Sequence, residues 1–178
     1  MIIIETGDIT HCPDDVIVNA ANTSLLGGGG VDGAIHDAAG PKLLQYCQKM
    51  AETEGVRCPI GDARITPAFN LPSRHIIHTV GPRHGIDVDS HRLLASAYRN
   101  SLIVAKKQGI KNIAFPAISC GVYRYPHDEA TEIALRTCAE SDRQDLQIRF
   151  VLFSADVFEA WQNTARTLEL GSCVVVKS

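Results

Sequence analysis

The chain has no C-x-x-C pair and no regular cysteine spacing. Its six cysteines are scattered at positions 12, 47, 58, 120, 138 and 173. That pattern excludes a disulfide framework, and a chain of 178 residues has enough length for its own core. Cys47 and Cys138 fall in helical stretches and read as core residues. No apolar run reaches membrane-spanning length, and no basic segment leads into an apolar signal region. The expectation is a cytoplasmic protein without membrane contact. There is no excess of positive charge: the net charge is −3, which argues against a broad nucleic-acid footprint. Internal repeats, low-complexity segments and linkers are absent as well, so residues 1–178 read as a single domain. Hydrophobic content of 45% and charged content of 21% are ordinary for a globular fold.

What the sequence does have is a distinctive stretch at 16–40, VIVNAANTSLLGGGGVDGAIHDAAG. A β-branched strand, Val16 to Val18, runs into carboxamides at Asn19 and Asn22. Four glycines, Gly27 to Gly30, follow. A helix over 31–39 comes next, with Asp32 in its first turn and Ala34, Ile35, Ala38 and Ala39 as its apolar stripe. Glycine lets a ligand approach the peptide plane, and a helix N-terminus offers unpaired N–H groups, so the order suits an anion. The stretch is neither G-x-G-x-x-G nor a phosphate-binding loop ending in Lys-Ser/Thr. A flexible glycine turn with an ordinary first-turn acid is the competing reading.

The rest of the chain alternates strands and helices. Strands are expected at 2–4, 63–69, 75–80, 113–116 and 147–153. Helices are expected from Pro41 to about Glu54, over 91–108 behind a Ser90 cap, over 127–140, and from Asp156 to about Leu170. The tail, Cys173 to Ser178, reads as an edge strand or as loosely ordered. His78 lies in a strand and reads as a hydrogen-bonded core histidine. A second strand–loop–helix unit carries the loop Ser119 to Tyr125. Two such loops at neighbouring strand ends would face one crevice, where α/β sheets bind ligands. The fold class is α/β, and the hairpin-like pair at 63–80 makes the sheet mixed.

Four separated motifs carry a family resemblance. They are Gly7-Asp8-Ile9-Thr10, the run NAAN at 19–22 followed by GGGGVDGAIH at 27–36, the run IHTVGP at 77–82, and Pro116 to Tyr123, PAISCGVY. Together they resemble the macrodomain family, specifically its MacroD-type branch, over most of the chain. The resemblance implies a three-layer α/β/α sandwich with a mixed sheet of about six strands. It implies ADP-ribose or O-acetyl-ADP-ribose as ligand, and mono-ADP-ribosylated proteins as partners. It places Asp8 and Ile9 at adenine, with Phe153 packing nearby. It places Gly29, Gly30 and Val31, together with Ser119, Cys120, Gly121 and Val122, around the diphosphate. Asn22, Asp32 and Tyr123 fall at the distal ribose. Asn22 and Asp32 are the catalytic pair it implies, for hydrolysis of ADP-ribosyl esters or deacetylation; the sequence itself has no metal-ligand cluster, so no metal and no cofactor are expected. An acid at a helix N-terminus is expected to stay ionised and to orient a water. Whether Asp32 is the base or only places a water stays open.

From the residues alone, Asp8 reads as a turn cap and Phe153 as a core strand residue. A non-catalytic reader of ADP-ribose, or a regulator acting through protein or RNA contacts, is the alternative function. Two positions depart from the MacroD pattern. Cys120 stands where Thr is usual, and Arg124 where Gly is usual.

Overall fold

The computed structural model describes residues 1–140, 146–168, 170 and 174–177. Seven strands form one sheet in the order β3-β4-β2-β5-β6-β1-β7. They are β1 (Ile2–Thr6), β2 (Val16–Ala20), β3 (Ala63–Pro67), β4 (His75–Thr79), β5 (Asn112–Phe115), β6 (Gln147–Leu152) and β7 (Val174–Val176). Every neighbouring pair is parallel except β3 with β4, which is antiparallel. Strands buried on both faces need apolar residues at successive positions. Val16-Ile17-Val18 and Ile2 to Ile4 supply them, each nearly free of solvent.

Successive side chains of a strand point to opposite faces, so the sheet divides its own core. Ile2, Ile4, Val16, Val18, Phe115 and Phe150 turn to one face. There they meet α3 (Ser90–Lys107), α4 (His127–Glu140) and α5 (Ala155–Thr167). Trp161 of α5 packs on Phe150 with ring centroids 5.0 Å apart. Ile17, Ile76, Ala114 and Val151 turn the other way, onto Ile35 of α1 (Gly30–Ala39) and Leu43 and Cys47 of α2 (Pro41–Gln48). This is the expected three-layer sandwich.

Several boundaries differ from the sequence reading. The sheet has seven strands rather than about six, because Val174–Val176 pairs in parallel with Ile2–Ile4. Cys173 and Ser178 lie outside the described residues. The helix expected to reach Glu54 stops at Gln48. After it, Thr53 and Val56 exchange backbone hydrogen bonds of 3.0 and 2.9 Å across Glu54 and Gly55. Both central residues have positive φ, 51° and 80°, which suits a tight turn and not a helix. The long helix starts at Ser90, and Asp89 precedes it in the left-handed region with no side-chain cap. Ser90 is therefore a first-turn residue. β3 ends at Pro67 and β6 at Leu152, short of Phe69 and Phe153.

The parallel strands β1, β2, β5 and β6 end on the same edge of the sheet. β2 hands its chain to α1 on one face, and β5 leads to α4 on the other. β2 and β5 are neighbours, so the loops after them diverge and leave a crevice between them.

Candidate functional site

That crevice holds two adjoining cavities that share lining residues. The wider one, about 400 Å³, is lined by Asp8, Ile9, Gly30, Val31, Cys120, Gly121, Leu152 and Phe153, among others. The narrower one, about 230 Å³, is lined by Asn22, Gly28 to Asp32, Gly81, Ser119, Gly121, Val122 and Tyr123. Gly30, Val31, Ala117 and Gly121 border both, so the two glycine-bearing loops form the waist. Every candidate site residue named from the sequence lines one cavity or the other.

The first loop supplies a bare helix end. Gly29 is the N-cap of α1 and has no side chain to cap it. A Cβ added at Gly29 or Gly30 would meet nothing within 4 Å, so the backbone here faces open space. Beneath, the packing is tight. A Cβ at Gly28 would lie 3.0 Å from Asp32 Oδ2, and one at Gly33 only 2.7 Å from the Gly28 carbonyl oxygen. The Gly28 peptide is thus wedged between α1 and the side chain of Asp32.

Asp32 itself is buried, at 4% exposure. Its Oδ1 accepts a 2.6 Å hydrogen bond from Asn19 Nδ2 and lies 3.6 Å from His36 Nε2. Its Oδ2 is buried with no hydrogen-bond partner among the described residues. The carboxyl does not sit at the low value that a helix N-terminus alone would favour. Burial pushes it above the ordinary carboxyl range, while the Asn19 hydrogen bond and His36 pull the other way. The helix position shows the dipole in the sequence, whereas the burial comes from packing against β2 and the glycine loop.

Asn22 braces the glycine loop. Its Oδ1 accepts from the Ser24 backbone N–H at 3.1 Å and hydroxyl at 2.6 Å, and its Nδ2 donates to the Gly27 carbonyl at 2.9 Å. One Nδ2 hydrogen is left for a ligand. Asp8 caps the short 3₁₀ turn Ile9–His11: Oδ1 accepts from the Thr10 N–H at 2.9 Å and hydroxyl at 2.7 Å. Those bonds hold its carboxyl below the usual range despite some burial. The turn-cap reading is correct, and the same side chain still borders the wider cavity. Phe153 is not a core residue. It lies one position past β6, is 85% exposed and stands at the cleft wall. Val122, 87% exposed, stands at the other end.

The second loop turns through Ser119 (φ 67°) and Arg124 (φ 54°), both left-handed. Glycine adopts that region without strain, so Arg124 is the costlier residue there. It is exposed. Burial pushes the Cys120 thiol up to about 12, which disfavours the thiolate that a nucleophile requires. Tyr123 is also raised by burial, with Arg83 opposing, and its carbonyl accepts from the His84 N–H at 3.0 Å.

The sequence marks Asn19 as a carboxamide beside the glycine loop but not its bond to Asp32, and it gives no sign of Thr66. Asn19 Nδ2 also reaches His78 Nδ1 at 3.1 Å, and His78 Nε2 meets Thr66 Oγ1 at 2.9 Å. His78 is the hydrogen-bonded core histidine expected. The one signal for Asn19 was a carboxamide at an inward position of a buried strand. Among the described residues, no group of three or more His, Cys, Asp or Glu side chains is placed to hold a metal ion.

Known proteins resemble this chain closely. An O-acetyl-ADP-ribose deacetylase of Escherichia fergusonii is 58% identical over 136 residues, 75% of this chain and 76% of its own. The Oceanobacillus iheyensis macrodomain, solved with ADP, is 49% identical with a TM-score of 0.86, covering 90% of this chain and 87% of that one. The Trypanosoma brucei macrodomain, solved with ADP-ribose, is 38% identical with a TM-score of 0.80, covering 92% of this chain and 68% of that one. Residues 18–134 match the model of the Macro domain; that span holds both loops of the cleft, and the chain belongs to the macrodomain family.

Proposed function

We propose that residues 1–178 act as one macrodomain that binds ADP-ribose and hydrolyses acyl esters of its distal ribose. The substrates are O-acetyl-ADP-ribose and proteins carrying ADP-ribose on acidic side chains. The observation that carries this reading is the cleft whose two cavities differ in chemistry and meet at two glycine-bearing loops. The wider cavity has apolar walls and one carboxylate, Asp8, which suits the adenine edge and its amino donor. Gly29, Gly30, Val31, Ser119, Cys120, Gly121 and Val122 suit the diphosphate through backbone N–H groups and the uncapped end of α1. The narrower cavity takes the distal ribose beside Asn22, Asp32 and Tyr123.

Ester hydrolysis consumes one water. Its oxygen bonds to the acyl carbon, its proton passes to the Asp32 carboxylate, and the ribose oxygen leaves and takes up a proton. A carboxyl raised by burial is a better proton acceptor than an exposed one. Asn22 orients the ribose through its remaining Nδ2 hydrogen. The 58% identity to a protein named O-acetyl-ADP-ribose deacetylase supports the ester as substrate. The test is incubation of the purified chain with O-acetyl-ADP-ribose and, separately, with a glutamate-linked ADP-ribosylated protein. Release of acetate and of ADP-ribose is the expected result. Tight ADP-ribose binding without either release would make the chain a reader.

A further inference from the structure

The macrodomain cleft does not account for a polar seam that runs beneath it through the sheet. Asn19 on β2 and His78 on β4 are register partners on adjacent strands. Both are fully buried, on the face that packs against α1. Asn19 Nδ2 has two hydrogens and two acceptors in reach, Asp32 Oδ1 at 2.6 Å and His78 Nδ1 at 3.1 Å. The other ring nitrogen of His78 meets Thr66 Oγ1 on β3 at 2.9 Å.

The carboxylate sets the arrangement. If the Asn19 amide were turned over, its oxygen would face the Asp32 carboxylate oxygen at 2.6 Å, lone pairs against lone pairs. With Nδ2 turned to the carboxylate, Asn19 Oδ1 has no hydrogen-bond partner among the described residues. Asn19 Nδ2 can only donate, so in this orientation His78 Nδ1 is the acceptor and the ring proton sits on Nε2, where the Thr66 hydroxyl can accept it. Burial pushes the imidazole down to about 3, so it stays neutral throughout the working range.

We propose that Asn19, His78 and Thr66 form a buried support that holds the Asp32 carboxylate in one orientation, so that Asn19 and His78 are positioning residues for the reaction at Asp32. The support rests on the proposed function only where a rate is read; the geometry of the carboxylate stands apart from it. His78 supplies no proton and touches no substrate. Its part is to be an acceptor that cannot become a donor.

Two variants separate the halves of the ring. His78→Asn keeps an acceptor near the Nδ1 place and loses the bond to Thr66. His78→Gln keeps a polar group near the Nε2 place and loses the acceptor for Asn19. Both remove a ring from the core, so a merely structural role would lower thermal midpoint and rate alike in the two. The support predicts a split. His78→Gln should lose about 10- to 100-fold in single-turnover ester hydrolysis, the usual cost of a lost orienting partner, with ADP-ribose affinity kept. His78→Asn should retain most of the rate.

A second readout needs no activity: the midpoint of the Asp32 carboxyl-carbon titration by NMR. It should rise in His78→Gln and stay near wild type in His78→Asn. Near Asp32 the titratable groups are His36 on its own helix, Cys47 on α2 and Tyr123 in the second loop, all intact in both variants. Thr66→Val serves if either variant fails to fold, and it should mix the His78 tautomers and raise the same midpoint. If the wild-type chain cleaves neither ester, the proposed function fails and the titration alone decides the support. Equal rates and equal midpoints in His78→Gln and wild type, or an unmoved midpoint in Thr66→Val, would overturn it.

Discussion

Asp32 combines two demands that pull apart. Its place beside the cleft suits a proton acceptor, and its burial penalises the charge that acceptance requires. The folded chain holds the proton more tightly than the unfolded chain does. The stability penalty is therefore absent below the ordinary carboxyl value of 3.8 and grows as pH rises through the raised folded value. Asp32→Asn keeps an oxygen for Asn19 and carries no charge. At about pH 7 it should melt above wild type, with the gap closing as the pH falls toward that ordinary value. A midpoint below wild type at neutral pH, by calorimetry, would count against the burial argument. Cysteine gives a second residue-scale outcome. Burial pushes the thiols of Cys12 and Cys47 up to about 11 and those of Cys58 and Cys120 to about 12. Iodoacetamide near neutral pH should leave all four unmodified in the folded protein and label them after unfolding, read by peptide mass spectrometry. Rapid labelling of Cys120 would reopen the nucleophile reading. Single residues were unevenly legible in the sequence. The strand context marked His78 as a core histidine, but the role of Asn19 depends on partners from α1 and β4, and no local pattern encodes that meeting. Phe153 had two readings, an adenine contact by resemblance and a core strand residue by pattern; its exposure excludes the second, since alternation cannot say at which residue a strand stops pairing.

At the scale of elements, α1 and its glycine loop decide whether the site forms. Helix propensity and packing make opposite predictions for Gly33→Ala. Propensity alone favours the alanine by about 1 kcal/mol. The new Cβ, however, would lie 2.7 Å from the backbone oxygen of Gly28, which cannot rotate away as a side chain could. Overpacking of this kind costs about 1–3 kcal/mol, so the variant should melt lower than wild type and bind ADP-ribose more weakly. Gly29→Ala, with open space around its Cβ, should lose only about 0.5–1 kcal/mol, the N-cap preference for glycine over alanine, and so melt above Gly33→Ala. A stabilised Gly33→Ala would mean that the loop is free to lift off Asp32. Element types were well marked by hydrophobic period, whereas ends were not. α2 was overextended because Ala51 to Glu54 are compatible with a helix, and the turn at Glu54-Gly55 wins through its backbone pairing. β7 was left open because three valines earn a strand only when an unpaired edge, here that of β1, is available.

The whole molecule turns a topological accident into a ligand site. Parallel strands end together, neighbouring connections depart to opposite faces, and the cleft opens where they part. The motifs for this were legible because their glycines and carboxamides sit at strand ends, where chemistry concentrates. The burial beneath them was not, since it belongs to three layers at once. The central claim is that the cleft binds ADP-ribose and that Asp32 acts on the bond beyond it, so binding and turnover must separate at that residue. The measurement is single-turnover ester hydrolysis by Asp32→Ala, alongside calorimetry of ADP-ribose on the same preparation. The account predicts a rate lower by about 10²-fold or more, as for a lost proton acceptor. It predicts ADP-ribose affinity kept or improved, because a negative charge near the diphosphate is gone. Wild-type turnover in that variant, or loss of binding in step with loss of rate, would contradict it.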